Sequence, residues 1–472
     1  MKKINKIVLL SLATAASLHA ADNLASAFSE GKTSGQIRSY YMYEDNHEGL
    51  QDYYGLAVGG KLKYETAALY GVKGGVAFYT TNFVNDNVSS TNTEPTAGNK
   101  GSRYVAGLVD AEDKDNNTVT GVGELYLKYT LSKSDLTFGR MKLNTPFINP
   151  EDGRMIPTLE QGIWFVSKDV KDFVLQAGFL NAFWNRSTSS WKSAADSLGY
   201  GYAQGKAPLS GNTDANYKGN TTTDGVYVAS AAYSGLKGMK LAVWDYYVQN
   251  IFNTFYFQGD YVAKADKLKF VAGLQYIGQQ EVGDGGNGAD NVANPTAAEQ
   301  AMSYMLKGEK SNTYGAKAGV GYESSLVTLA VTKTTDEGRF LFPREWGKEP
   351  LFTFQKRERS DGSGKATAWL LTLDQDFKAL GIDGLKAKIG YGRYYRPDAK
   401  NFVLNKYGVP SYAQTNVDLF YNFSGSLKGL RLEYLFARKY ALGETYETPT
   451  NSNFVFAKNS INIHNFVINY DF

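Results

Sequence analysis

Along most of this chain, apolar or aromatic residues recur at every second position in runs of roughly ten, the period of an extended strand whose two faces meet different surroundings. Glu124 to Leu131 shows the pattern most cleanly, with Leu125, Leu127, Tyr129 and Leu131 on one face and Glu124, Tyr126, Lys128 and Thr130 on the other. The same split recurs at Leu56 to Glu65, Leu268 to Tyr276, Tyr314 to Tyr322, Asn416 to Phe423 and Leu430 to Lys439, and in several of these glycine sits on the polar face. Read this way, the chain predicts strands near 33–44, 52–66, 69–82, 120–132, 134–143, 160–168, 170–181, 223–234 and 237–249. The second half continues near 252–264, 267–280, 311–323, 325–335, 364–377, 383–396, 412–424, 427–440 and 459–472. That makes about eighteen strands, an even number, as single-chain bacterial barrels have.

The connections sort into two kinds. Every second one is a tight turn, as at Glu65 to Leu69, Ser132 to Asp135, Ser234 to Gly238, Ala263 to Lys267, Leu380 to Asp383 and Ser424 to Gly429. Those between are mostly long and rich in Asn, Thr, Gly and Asp: 83–119, 182–222, 281–310, 336–363 and 441–458. Short and long ends therefore segregate, which is the asymmetry of an outer-membrane barrel with periplasmic turns and extracellular loops. A soluble sandwich or propeller has no reason to sort its loops so. The expected fold class is all-β, a single transmembrane antiparallel β-barrel over residues 21–472. In the last strand Phe466, Ile468, Tyr470 and Phe472 share one side, and a terminal aromatic after such alternation is the kind of signal that barrel-assembly machinery reads.

Composition agrees with strands: 34 Tyr, 26 Phe and 49 Gly against 11 Pro and no Cys. A mean hydropathy of -0.37 is too polar for a helical membrane protein, but a barrel hides its lipid face by alternation. The formal net charge of +3 is close to balance, so no nucleic-acid partner is implied. Lys2, Lys3 and Lys6, the apolar run Ile7 to Leu18 and the site Leu18-His19-Ala20 before Ala21 read as a signal peptide over residues 1–20. The apolar run is shorter than the ~20 residues of a spanning helix.

The segment Gly139 to Gly162, GRMKLNTPFINPEDGRMIPTLEQG, resembles the third-loop region of OprD-type outer-membrane porins, in the form found among epsilonproteobacterial relatives. Trp244 to Tyr247, Asp376 to Tyr395 and Gly31 to Tyr41 fit the same family. The resemblance implies an eighteen-stranded barrel whose third loop folds inward as a narrow eyelet, with a track of basic residues leading solutes through it. Arg140, Lys142, Glu151, Asp152 and Arg154 are then the eyelet candidates. Pro146, Pro150 and Pro157 would stiffen an irregular path, and such backbone at membrane depth is tolerable only inside the lumen.

Alternation also assigns the inward charges. Arg38, Lys61, Lys63, Lys73, Lys128, Lys269, Lys317, Lys386, Lys388, Arg431 and Lys439 fall opposite the lipid face, against fewer acids: Glu65, Glu124, Asp260, Asp374, Asp376, Asp418 and Glu433. The basic lumen track is Arg38, Lys61, Lys63, Lys128, Lys386, Lys388 and Arg431. A net positive wall concentrates anions, which points to small polar solutes, anionic or carboxylate-bearing; a solvated interior that pairs with its own acids stays the bland alternative. Arg140 conflicts with the pattern, because Leu136 and Phe138 put it on the lipid side, and a bulge at Gly139 is expected to swing it into the pore. Arg393 shows the same conflict after Gly392. Tyr40, Tyr41, Tyr43, Trp244, Tyr246, Tyr394 and Tyr395 suit interfacial girdles.

Enzymatic readings find little support. Only His47 and His464 lie outside the signal, neither beside a serine and an acid, and no cysteine is present. The clusters Asp110 to Asn117 and Asp284 to Asp290 lack calcium-loop spacing. The expectation is a porin in the outer membrane of a Gram-negative bacterium, surrounded by outer-membrane lipid, with no cofactor and no metal. Assembly through Phe472 follows from the last strand, and a homotrimer stays open. The competing readings are a surface adhesin with an incidental pore and a hydrolase built on a barrel.

Overall fold

The computed structural model describes residues 21–46, 52–88, 104–110, 117–151, 153–199, 217, 219–286, 303–399, 401, 403–442 and 460–472. The predicted signal segment, His47, Asp152 and large parts of both acidic clusters lie outside these residues.

The alternating runs form strands where the pattern places them. In chain order they are β1 (Lys32–Asn46), β2 (Tyr53–Glu65), β3 (Val72–Asp86), β4 (Thr118–Leu131), β5 (Ser134–Met141), β6 (Leu159–Ser167), β7 (Phe173–Trp184), β8 (Lys192–Ser193) and β9 (Val226–Tyr233). They continue as β10 (Met239–Val248), β11 (Phe252–Ala265), β12 (Leu268–Glu281), β13 (Lys310–Tyr322), β14 (Ser325–Thr334), β15 (Ala366–Asp376), β16 (Leu385–Tyr395), β17 (Tyr412–Asn422), β18 (Leu430–Ala441) and β19 (Ile461–Asp471). The two-residue β8 only caps the end of β7. Among the described residues the other eighteen pair antiparallel, each with its sequence neighbour, and β1 closes the ring on β19 with Gln36 opposite Asp471 and Asn46 opposite Ile461. Closure leaves no open edge, which lets backbone amides cross a membrane without water.

The seam is extended by the last residue, whose amide donates to Gly35 O at 3.1 Å while its carbonyl accepts from Gly35 N at 2.9 Å. Short turns and long loops segregate as expected. Three connections on the short side are two-residue turns, Ser132-Lys133, Asp266-Lys267 and Glu323-Ser324, whose first residues sit in the left-handed region at φ 56, 51 and 50, as hairpins of this kind require.

The two faces obey the alternation. Leu125, Leu127, Leu131 and Phe138 are 56–64% exposed on the outside, where lipid covers them, while Glu124 on the inner face is 3% exposed. Of the expected girdle, Tyr41, Tyr43 and Tyr395 lie outside, Tyr41 against Phe466 and Tyr43 against His464. Tyr40, Trp244, Tyr246 and Tyr394 do not belong to it: their parity points them inward and loops bury them. The expected bulge at Gly139 is absent too. Register runs unbroken through β5, Arg140 opposite Leu125 and Gln161, so Arg140 stays on the lipid side.

A second hydrophobic core fills the extracellular half of the ring. Inward residues of β6, β7, β10 and β11 (Trp164, Phe183, Trp244, Tyr246 and Tyr256) pack against Phe147 from one loop and Phe340, Phe342 and Trp346 from another. Trp346 stacks on Phe183 with ring centres 4.4 Å apart. The seam between β1 and β2 tolerates no side chain at Gly60, which has φ +152 and where a Cβ would sit 1.8 Å from Gln36 O. Gly60→Ala should therefore strain the barrel by about 1–3 kcal/mol and lower the temperature at which the compact form is lost in denaturing gels; an unchanged transition would show that the seam can relax.

Candidate pore constriction

The third loop, residues 142–158, leaves β5 and turns into the lumen. Leu143, Phe147, Ile148, Met155 and Ile156 anchor it by burial. Phe147 does most of this, edge-on to Tyr246 at 5.3 Å and Tyr256 at 5.5 Å and stacked on Phe342 at 4.6 Å. The seventh loop, residues 335–365, also enters the barrel, although its many charged and polar residues read as a solvated extracellular segment. It bonds to inward side chains around the ring: Gln275 Nε2 donates to Pro350 O at 2.9 Å, Tyr394 OH to Thr353 O at 2.6 Å, and Arg357 Nη2 to Tyr40 OH at 2.7 Å and Asn465 Oδ1 at 2.6 Å. The loop thus runs across the lumen from β12 to β1 and β19.

The two loops meet. Asn149 Nδ2 donates to Lys348 O at 3.0 Å, its Oδ1 accepts from Lys348 N at 3.1 Å, and its amide donates to Trp346 O at 3.1 Å. Thr158 Oγ1 donates to Glu345 O at 3.0 Å. Glu151 pairs with Arg359 of the seventh loop and Arg186 of the fourth. Burial opposes the charge of Glu151, yet Arg186 and then Arg359 hold its carboxyl below the usual carboxylate range. Neither arginine stands out in the sequence, because charged residues in a long polar segment look solvated until a partner is known.

Beneath this clasp lies a cavity of about 310 Å³ on the β1–β3 side, lined by Arg38, Lys61, Tyr79, Lys142 and Glu151 among others. Arg38 donates Nε to Asn469 Oδ1 at 2.7 Å and Nη1 to the carbonyl of Arg154. Arg154 itself is buried and donates Nη1 to Gly153 O at 2.7 Å. Lys61 and Lys142 face each other, and among the described residues neither forms an ion pair. The rest of the predicted basic track is paired with its own acids. Lys63 lies 2.8 Å from Glu124, Lys128 3.9 Å from Asp135, Lys386 3.2 Å from Asp376 and Lys388 3.7 Å from Asp374, and Arg431 pairs with Glu433. Arg140 is elsewhere: on the outer surface its guanidinium covers the Trp191 ring at 4.7 Å and its Nε donates to Gln161 Oε1 at 3.0 Å.

A second space of about 830 Å³ opens under the seventh loop. There Lys317 lies 2.6 Å from Asp260 and 4.1 Å from the Phe352 ring centre. The arrangement is a lumen narrowed by two interlocked loops, with lysines and acids paired along the walls and two ammonium groups at the narrows that form no ion pair among the described residues.

The family model for outer membrane porins of the OprD family matches residues 27–463. The chain belongs to the OprD family of outer-membrane porins. The porin therefore resides in the outer membrane of a Gram-negative bacterium, in contact with its lipid, and passes small polar solutes by passive diffusion. Solved structures repeat its fold. OpdK of Pseudomonas aeruginosa, determined with vanillate, is 18% identical over 94% of this chain and 99% of that one, with a TM-score of 0.68. OpdG of Pseudomonas aeruginosa is 16% identical over the same shares, TM-score 0.70. OccAB2 of Acinetobacter baumannii is 18% identical over 95% of this chain and 99% of its own, TM-score 0.69. No curated protein matches the sequence. The matches are to porins and give the adhesin and hydrolase readings no support.

The seventh loop of the porin carries two buried carboxyl groups that should make its packing sensitive to pH. Burial pushes Glu345 up to about 7, against relief from the Gly199 amide and from Arg359 and Arg186. Burial and the neighbouring Asp361 push Glu349 up to about 7. The folded loop thus keeps protons that a free carboxyl would lose near 4.5, so this contribution is complete below pH 4.5 and is lost as pH rises through 7. Amides of residues 340–355 should exchange faster at pH 8 than at pH 5 once intrinsic rates are removed, and the double substitution Glu345→Gln, Glu349→Gln should flatten the difference.

Proposed function

We propose that the constriction selects small anionic solutes, carboxylates among them, and that Lys61 and Lys142 are the groups that do so. The observation that carries this reading is the contrast in pairing. Glu151, the acid on the same cavity, has two arginines of its own, whereas no carboxylate among the described residues pairs with either lysine. Confined between low-dielectric walls, two such charges raise the local concentration of anions and lower that of cations. The vanillate in the related OpdK structure is a carboxylate, consistent with the same preference in a shared fold. Glu151 and Arg154 act as positioning residues for the loop, and Arg38 joins the lysines as a donor lining the path. Residues 1–20 are read as the export signal, and the aromatic Phe472, bonded across the seam to Gly35, as the end that assembly machinery engages.

The test is the reversal potential of single channels in a salt gradient. Lys61→Glu with Lys142→Glu should reduce the anion-to-cation permeability ratio by about tenfold, the scale on which lined clefts focus ions, with the methionine pair falling between. Unchanged reversal in both variants would remove the lysines from the filter.

A further inference from the structure

On the lipid-facing side of the eighteen barrel strands, cations are few and all sit at one height. Arg140, Lys310, Lys333, Arg393 and Arg438 are the outward ones among the described strand residues, and each lies within three residues of the extracellular end of its strand. Lys310 has a carboxylate, Glu337, at 3.9 Å. The other four have none among the described residues. A charge in this band is tolerable only at the membrane interface, so the distribution singles out the outer leaflet.

Three of the four gather on the alternate strands β14, β16 and β18 of one five-strand stretch of the wall. Cross-strand pairing lines up Trp369, Arg393, Ala413 and Tyr440 in one row and Tyr391, Thr415 and Arg438 in the next. The hydroxyls of Tyr391 and Tyr440 meet at 3.1 Å between the two arginines. Arg393 donates Nε to Tyr391 OH at 3.0 Å, and Tyr395 lies against it. Lys333 sits opposite Thr367, whose other partner is Tyr395. Acids border the patch at its two ends: Asp45, beyond Asn462 from Arg438 and bonded to that Asn462 at 2.9 Å, and, beside Lys333, Glu337, which accepts from Asn312 Nδ2 at 2.7 Å and Thr335 Oγ1 at 3.4 Å. The patch therefore combines forked and point cations with phenol hydroxyls on a surface that faces lipid head groups.

We propose that this rim of β14–β18 binds the phosphates of lipopolysaccharide in the outer leaflet. Guanidinium groups match phosphate oxygens bidentately, the tyrosine hydroxyls supply neutral donors, and the rings of Trp369, Tyr391 and Tyr395 pack against the sugar and the upper acyl chains. The site is distinct from the lumen: the solute path runs inside the ring, and these side chains point away from it.

The experiment measures binding of the detergent-solubilised full-length porin to diphosphoryl lipid A, its phosphate-free counterpart and phosphatidylglycerol by native mass spectrometry. Diphosphoryl lipid A should be retained and the other two should not. Arg393→Gln with Arg438→Gln should weaken retention about a hundredfold, since each charge-assisted hydrogen bond to phosphate is worth about one decade of affinity, while Arg393→Lys with Arg438→Lys should recover part of it. Retention of phosphate-free lipid, equal retention of phosphatidylglycerol, or full retention by the glutamine variant would each overturn the site. The lipid series on the unmutated protein decides even if the variants fail to fold.

Discussion

A strand that crosses a membrane must give every backbone amide a partner, and this chain meets that demand by closing its sheet on itself. Everything else is built on that closure. Once β1 meets β19, each strand has an oil side and a water side, and a shift of one residue in any register would turn leucines inward and lysines outward. The Gly35 and Gly60 positions and the left-handed turn residues Ser132, Asp266 and Glu323 hold those registers.

Inside the ring, the third and seventh loops solve a second problem. Eighteen strands enclose more space than inward side chains fill, and two irregular segments can occupy it only if their own polar groups are satisfied. Apolar anchors do the first part: Phe147, Phe342 and Trp346 fill the extracellular half with aromatic surface. Asn149, bonded to Lys348 on both sides, and Glu151 between two arginines do the second. Lys61 and Lys142, which form no ion pair among the described residues, line the cavity beneath, where the proposed selection of anions would act.

The strands were the most legible part of the sequence because alternation with period two is a direct trace of two solvents, and strand positions there differ from the structure by only a few residues at each end. The sorting of turns and loops was equally plain. Side-chain identity alone misled at the rim. Trp244 and Tyr246 look like girdle residues, but Val243 and Tyr247 beside them are the ones that face out. Arg140 looked too costly for the lipid side, yet Trp191 and Gln161 accept it there without a bulge. Lys63, Lys386 and Lys388 of the expected basic track point inward, but acids on nearby strands of the same inner face pair with them. The seventh loop was hidden most deeply, since its apolar residues are scattered through a polar segment, and only the run Phe340 to Phe342 with Trp346 and Leu351 hints that it is packed.

The ends of the seventh loop nearly touch, a Cβ on Gly364 falling 2.2 Å from Gly338 O, so residues 340–362 can be excised and the hairpin rejoined. Single-channel conductance of that deletion, with the compact barrel verified by gel mobility, tests most directly whether two loops together set the aperture. A several-fold rise in open-channel current is expected. A current equal to that of the intact porin would mean that the loop does not restrict the path.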